Sequence, residues 1–241
     1  MYSSDDPVWY LHSLNDDKEI EIAGFILACF AYGRVDIMNN FTDSLFKRIR
    51  GSIYEFTVNF GKRDKQYFNH LQYRFNNGND ISYLFRQIQK AYLDYGSLKE
   101  LFLTDYSSED KNILKPLNYF TCFLKKNVPE DSGFHYLVPD SSKNSACKRL
   151  NLFLRWMVRK DEIDMGIWGG EVDKSKLIIP VDIHVYRISK QLNLVNRNSC
   201  DMKYAIELTN KLKEFDPEDP VKYDFALCHI GIENKKPPTI F

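Results

Sequence analysis

SACKRLNLFLRWMVRKDEIDMGIWGGEVDKSKLIIPVDIHVYRISKQL, residues 145–192, is the stretch from which the rest of the chain is read. Ser145 is a good N-cap residue, which places Lys148 at the third position of a helix running through RLNLFLRWMV. Leu150, Phe153, Leu154 and Met157 recur at helical spacing as its core face, leaving Arg149, Arg155, Trp156 and Arg159 toward a groove or solvent. A second helix opens at Asp182, a natural N-cap for IHVYRISKQL, with His184 and Arg187 near the same opening. Taken alone, each feature is an ordinary helix start. A capping Asp contributes about 1 kcal/mol with no further role.

Outward from this stretch the pattern is helix after helix, with little strand alternation, so the fold class expected is all-α. Asp16 or Asp17 opens KEIEIAGFILACFAYG, apolar on most faces and closed by Gly33, which reads as a buried central helix. Ser52, the NNGND cluster at 76–80, Ser97 and Ser107 or Ser108 open further helices, the last of them kinked or split at Pro116. Residues 128–144 read as loop. Asp201 caps MKYAIELTNKLKEF, and Asp219 with Pro220 starts a final helix. The tail ENKKPPTIF is expected to be at most partly ordered.

The 241 residues suffice for one large domain or two small lobes. Charge balances at 33 basic and 33 acidic residues, which excludes a global field drawing the chain to polyanions; any such site must be local. Residues 143–160 offer one, with Lys143, Lys148, Arg149, Arg155, Arg159 and Lys160 and no acid in the same run until Asp161. A looser basic patch spans 47–65, where a solvated helix face is the plainer explanation. Five scattered cysteines with no C-x-x-C pair are neither a disulfide framework nor a metal signature. No signal peptide and no membrane-length apolar run is visible, so a cytoplasmic protein is expected.

The chemistry suggested by the two helix openings follows from charge. An ammonium in a first helical turn sits against the positive end of the dipole, unfavourable by a few tenths to about 1 kcal/mol. That favours the free amine a nucleophile needs. A carboxylate facing the same cleft could assist departure of a leaving group and stabilise an oxocarbenium-like sugar. Backbone N–H groups at the Ser145 helix start could receive a phosphate. Trp156 and Trp168 are candidates for stacking on a base, although a tryptophan is more often core.

SACKRLNLFLRWMVR, LIIPVDIHVYRISKQL and FDPEDPVKYDFALCHIGI together resemble an uncharacterised bacterial family, itself distantly similar to the helix-hairpin-helix (HhH-GPD) DNA glycosylases. The resemblance covers most of residues 5–232. In that superfamily a lysine just after the hairpin forms the Schiff base, and an aspartate lies downstream in a V-D-x-H helix opening. Lys148 and Val181-Asp182-Ile183-His184 match those places, 34 residues apart. That spacing is nearest to the archaeal 8-oxoguanine glycosylase branch, with GIWGGEVDKSKL as its insert. Two departures stand out: VPDSSKNSAC replaces the hairpin's L-P-G-V-G, and the four-cysteine iron–sulfur loop is missing.

The resemblance implies a single two-lobed helical domain with a cleft between lobes. N-terminal residues and C-terminal helices would form one lobe, and roughly residues 36–160 the other. It further implies a DNA glycosylase, bifunctional through Lys148 and Asp182, acting without a cofactor on double-stranded DNA with a damaged base such as 8-oxoguanine. A monomer associated with the nucleoid is expected. Ser145, Arg149, Arg155, Arg34, Tyr32 and His184 would contact DNA, Tyr32 or Arg34 as the wedge, with Trp168 and Trp156 in the base pocket. The alternatives are a non-catalytic nucleic-acid-binding protein on the same scaffold and an interaction protein whose 143–160 helix docks an acidic partner.

Overall fold

The computed structural model describes residues 6–143 and 145–233, so the expectation for the tail beyond residue 233 lies outside the described residues. Helix starts in this chain are written by side chains that take up free N–H groups. After a short α1 (Val8–Leu11), Asp16 accepts from the backbone N–H of Lys18 at 2.8 Å and opens α2 (Asp17–Phe30). The chain then turns at Gly33 (φ +88°) into α3 (Val35–Phe46). Ser52 caps α4 (Ile53–Val58) through the Glu55 N–H, and a two-residue antiparallel hairpin of β1 (Gln72–Tyr73) and β2 (Asn76–Asn77) follows. Asn77 and Asp80 form a reciprocal capping box on α5 (Gly78–Tyr95), which ends at Gly96 with φ +93°. Ser97 caps α6 (Leu98–Leu103).

Three expectations are corrected in the middle of the chain. Helix α7 (Leu114–Lys125) begins well after Ser107 and Ser108, whose segment is taken up by turns. Pro116 therefore falls in its first turn, where no intrahelical N–H bond is lost and no kink results. Residues 134–137, read as loop, form the short α8 (Phe134–Leu137). The C-terminal part is α9 (Lys148–Val158), α10 (Ile183–Gln191), α11 (Met202–Lys213) and α12 (Asp224–Glu233), the last preceded by a 3₁₀ turn over Pro220–Tyr223.

The all-α class holds, since the hairpin is the sole sheet among the described residues. Buried side chains form one contiguous cluster with α2 at its centre, every residue from Ile20 to Phe30 being buried. Helix α2 packs against α9, α4, α1 and α3, while α10 packs against α12. Phe25 meets Phe120 of α7 and Phe153 of α9 edge-on.

A carboxylate lies against the middle of this cluster. Glu21, 4% exposed, accepts from the Tyr92 hydroxyl at 2.7 Å, the Leu98 and Lys99 N–H groups at 2.8 and 3.0 Å, and Trp168 Nε1 at 2.9 Å. It thereby caps α6 from another helix. Burial pushes its carboxyl up, against the pull of these four donors. No helix among the described residues is long and apolar enough to cross a membrane.

Candidate active site

Where α2 ends, α9 and α10 begin and α12 passes, the chain leaves a cavity of about 370 Å³. Its wall includes Lys148, Asp182, Tyr32, Trp156, Arg155 and His184, six of the ten residues singled out from sequence. The two helix openings, 34 residues apart in the chain, therefore face one space.

Lys148 reaches it by a different local route from the one expected. Helix α9 starts at Lys148 itself, after Cys147 in the left-handed region (φ +46°, ψ +38°), so the lysine is the first helical residue rather than the third. Ser145 is not the helix cap: its hydroxyl accepts from the Cys147 N–H at 3.2 Å, and its backbone bridges to Asp201. The half-buried Lys148 Nζ donates to the Ala31 carbonyl at 3.3 Å. That carbonyl terminates α2, so the negative end of one dipole meets the positive end of another at the amine.

Asp182 is as expected. Oδ1 accepts from the His184 and Val185 N–H groups, both at 2.8 Å, and caps α10. Oδ2 faces the Cys228 thiol at 3.5 Å. Burial, with Asp182 and Asp224 acting the same way, pushes that thiol up, so it stays protonated and donates. His184 Nδ1 lies 3.1 Å from the Gly231 carbonyl, and Arg187 also donates to that carbonyl, fixing α10 to α12.

Asp224 also borders the cavity and was not singled out from the sequence. It opens α12 and is fully enclosed, with Arg155 Nη1 donating to its carboxylate. Burial pushes its carboxyl up to about 6; Arg155 pulls it back, Asp182 adds to the rise and Lys148 opposes it. A signal was legible, because Asp224 and Cys228 lie four apart, and Phe225, His229 and Ile232 follow one face of α12. The His229 ring stacks on Phe225 at 3.8 Å.

Of the side chains expected toward a groove or solvent, Arg155 and Trp156 do border the cavity, but with Arg159 they are buried rather than solvated. Arg155 is 5% exposed and bonds Asp164 and Asp224, while Arg159 bonds Asp164 and, at 2.8 and 3.0 Å, Asp219. These acids follow the basic run in sequence and fold back onto it, so charges adjacent in the chain become a buried network rather than a basic surface. For the same reason Asp219 does not cap the final helix. Arg149 is also engaged inside, donating to the Cys29 carbonyl at 2.9 Å and lying over the Tyr32 and Tyr136 rings. With these cations committed, α9 offers no continuous basic face for an acidic partner.

Both tryptophans are core side chains. Trp156 is 2% exposed at the cavity wall, and Trp168 is 1% exposed, outside the cavity and bonded to Glu21. Tyr32 is half-buried, with its hydroxyl donating to Asn76 Oδ1 at 2.7 Å, which does not suit a free wedge. Arg34 stands exposed, paired with Asp36 at 2.7 Å. At the hairpin tip Arg74 overlies Gly33, and Phe75 is 67% exposed beside Tyr136. No group of three or more metal-ligating side chains is placed to hold an ion among the described residues.

Residues 6–233 match the family described as protein of unknown function, DUF2400. The chain belongs to the DUF2400 family. No curated protein and no solved structure matches it. The DUF2400 match spans both helix openings and all of α12 to its final residue, so Lys148, Asp182 and Asp224 all fall within the family region.

Proposed function

We propose that this DUF2400 chain is a DNA base-excision enzyme of the helix-hairpin-helix glycosylase type, with its cleft at the cavity of Lys148 and Asp182. One observation carries the reading: an amine and a carboxylate from two separate helix starts open on one cavity of about 370 Å³. That volume is within the range of small-ligand pockets, roughly 300–1,000 Å³.

In this mechanism Lys148 Nζ attacks C1' of a flipped damaged nucleotide, and the C1'–N bond electrons leave with the base. Asp182, held on the cavity wall by its capping bonds and by the Cys228 thiol at Oδ2, stabilises the positive charge that develops on the sugar. The sugar ring opens to a Schiff base, from which β-elimination cuts the strand. An oxidised purine, 8-oxoguanine first, is the substrate class. Trp156 and Tyr32 supply aromatic wall on which such a base packs. Arg34, exposed at the turn after α2, and Phe75 at the neighbouring hairpin tip are the side chains suited to fill the gap left in the duplex. Nucleoid association would follow from this activity.

The test is base release and borohydride trapping on duplexes bearing 8-oxoguanine, abasic sites and other oxidised bases, with Lys148→Gln and Asp182→Asn alongside. Trapping by the wild type, lost in Lys148→Gln, is expected. Salt-sensitive DNA binding with neither trapping nor base release across the panel would replace this reading with that of a non-catalytic binding protein.

A further inference from the structure

Asp224 is a carboxyl enclosed in the protein, yet it borders the same cavity as Lys148. As a mere partner for Arg155 it has a competitor, because Asp164 already binds that guanidinium through Nε at 3.1 Å. Asp182 has its Oδ1 spent on two backbone N–H groups and its Oδ2 toward a thiol. Asp6, also on the wall, accepts from the Val8 N–H at 3.0 Å at the start of α1. Of the three acids lining this cavity among the described residues, Asp224 is the one that takes up no backbone N–H at a helix start.

We propose that Asp224 is the proton-holding partner of Lys148 in Schiff-base formation with a sugar aldehyde, and that Arg155 positions it. The inference rests on the lysine chemistry proposed above. The Lys148 amine adds to the aldehyde carbon, giving a carbinolamine. The protonated Asp224 carboxyl then gives its proton to the carbinolamine hydroxyl, which leaves as water as the nitrogen lone pair forms the C=N bond. The products are the iminium on Lys148, one water and the Asp224 carboxylate, and no outside reductant or oxidant is needed.

The surroundings suit a group that changes charge near neutrality. Burial holds the Asp224 carboxyl at about 6, so both forms are populated between pH 5 and 7. Arg155 and Lys148 from α9, Asp182 from the start of α10 and Cys228 from its own helix act on it or are acted on by it, and His184 and His229 line the same cavity. Asp6, before α1, borders the same cavity. Lys148 and Asp182 act on Asp224 in opposite senses, so its charge state depends on both proposed reacting groups.

The intact protein without DNA is treated with glycolaldehyde and cyanoborohydride from pH 5 to 8, and the Lys148 adduct is quantified by peptide mass spectrometry against the exposed Lys47. In the wild type, Lys148 labelling relative to Lys47 is expected to fall through a step near pH 6 as Asp224 loses its proton. Asp224→Asn is expected to lose that step and at least about tenfold of the labelling at pH 6. Asp224→Glu, which keeps an acid, should restore much of it, which separates the proton role from a folding defect. An unchanged profile in Asp224→Asn, or a wild-type ratio with no step, overturns the inference. The readout contains no nucleic acid, so a wild type that labels as expected but traps no DNA lesion refutes the proposed function and leaves the proton exchange standing.

Discussion

At the scale of single residues, the cavity places side chains with structural duties beside side chains proposed above to react. Asp182 does both, since its capping bonds to α10 are worth about 1 kcal/mol. Asp182→Ala should therefore lose about that much stability in urea denaturation, whereas Lys148→Gln should change it by less than about 0.5 kcal/mol, its one weak bond being to a carbonyl. Equal and large losses in both would make Lys148 a packing residue. Asp224 predicts a pH effect with a definite sign. Its carboxyl ionises at about 6 in the folded chain against an ordinary 3.8, so the folded state binds the proton more tightly. The penalty is absent below the unfolded value, grows as pH rises through the interval and is complete above about 6. Its upper bound is on the order of 3 kcal/mol. Asp224→Asn lacks this slope, so its stability relative to wild type should improve between pH 4.5 and 7; parallel curves would contradict the account. Asp182 was legible because its cap is locally encoded, whereas Lys148 was placed near a helix start whose cap lay elsewhere than expected. Asp224 was harder to find, because its importance comes from Arg155, 69 residues earlier, folding against it.

Elements show the same division. Caps at Asp16, Ser52, Asn77, Ser97, Asp182 and Asp201 all accept N–H bonds from their own helices, which is why most of the helix order was readable from side chains a few residues apart. Ser145 failed because the left-handed Cys147 intervenes, a backbone choice that no residue type there announces. The outward face of α9 was misread because Arg155 and Arg159 have the polarity of surface residues and find their acids only after the chain folds back. Two contacts between elements carry predictions. Gly231 of α12 lies so near α10 that a β-carbon would stand 2.7 Å from His184 Cβ and 3.1 Å from the His184 carbonyl oxygen. Gly231→Ala should force the helices apart, costing about 1–3 kcal/mol by thermal or urea unfolding and disturbing the cavity they enclose. Glu21→Ala leaves four donors, three of them buried, without their acceptor and should cost more than about 3 kcal/mol, with earliest hydrogen-exchange deprotection at the start of α6.

For the whole molecule, net charge is zero and several cations of the basic run lie inside, so any DNA affinity must come from scattered exposed side chains. Arg34, Arg74, Lys143 and Lys160 are exposed, as are Lys47, Arg48, Arg50, Lys62 and Arg63 of the looser patch. A modest fall of affinity with salt is the expectation, with a slope of few phosphate contacts rather than the ten of a strongly basic binder. The claim at the centre of the account is that the cavity's amine is the attacking group. Borohydride trapping on an abasic-site duplex, followed by peptide mapping of the cross-linked protein, tests it most directly. A cross-link at Lys148 that Lys148→Gln abolishes is expected; a cross-link at any other lysine, or none on any lesion, would refute that role for Lys148.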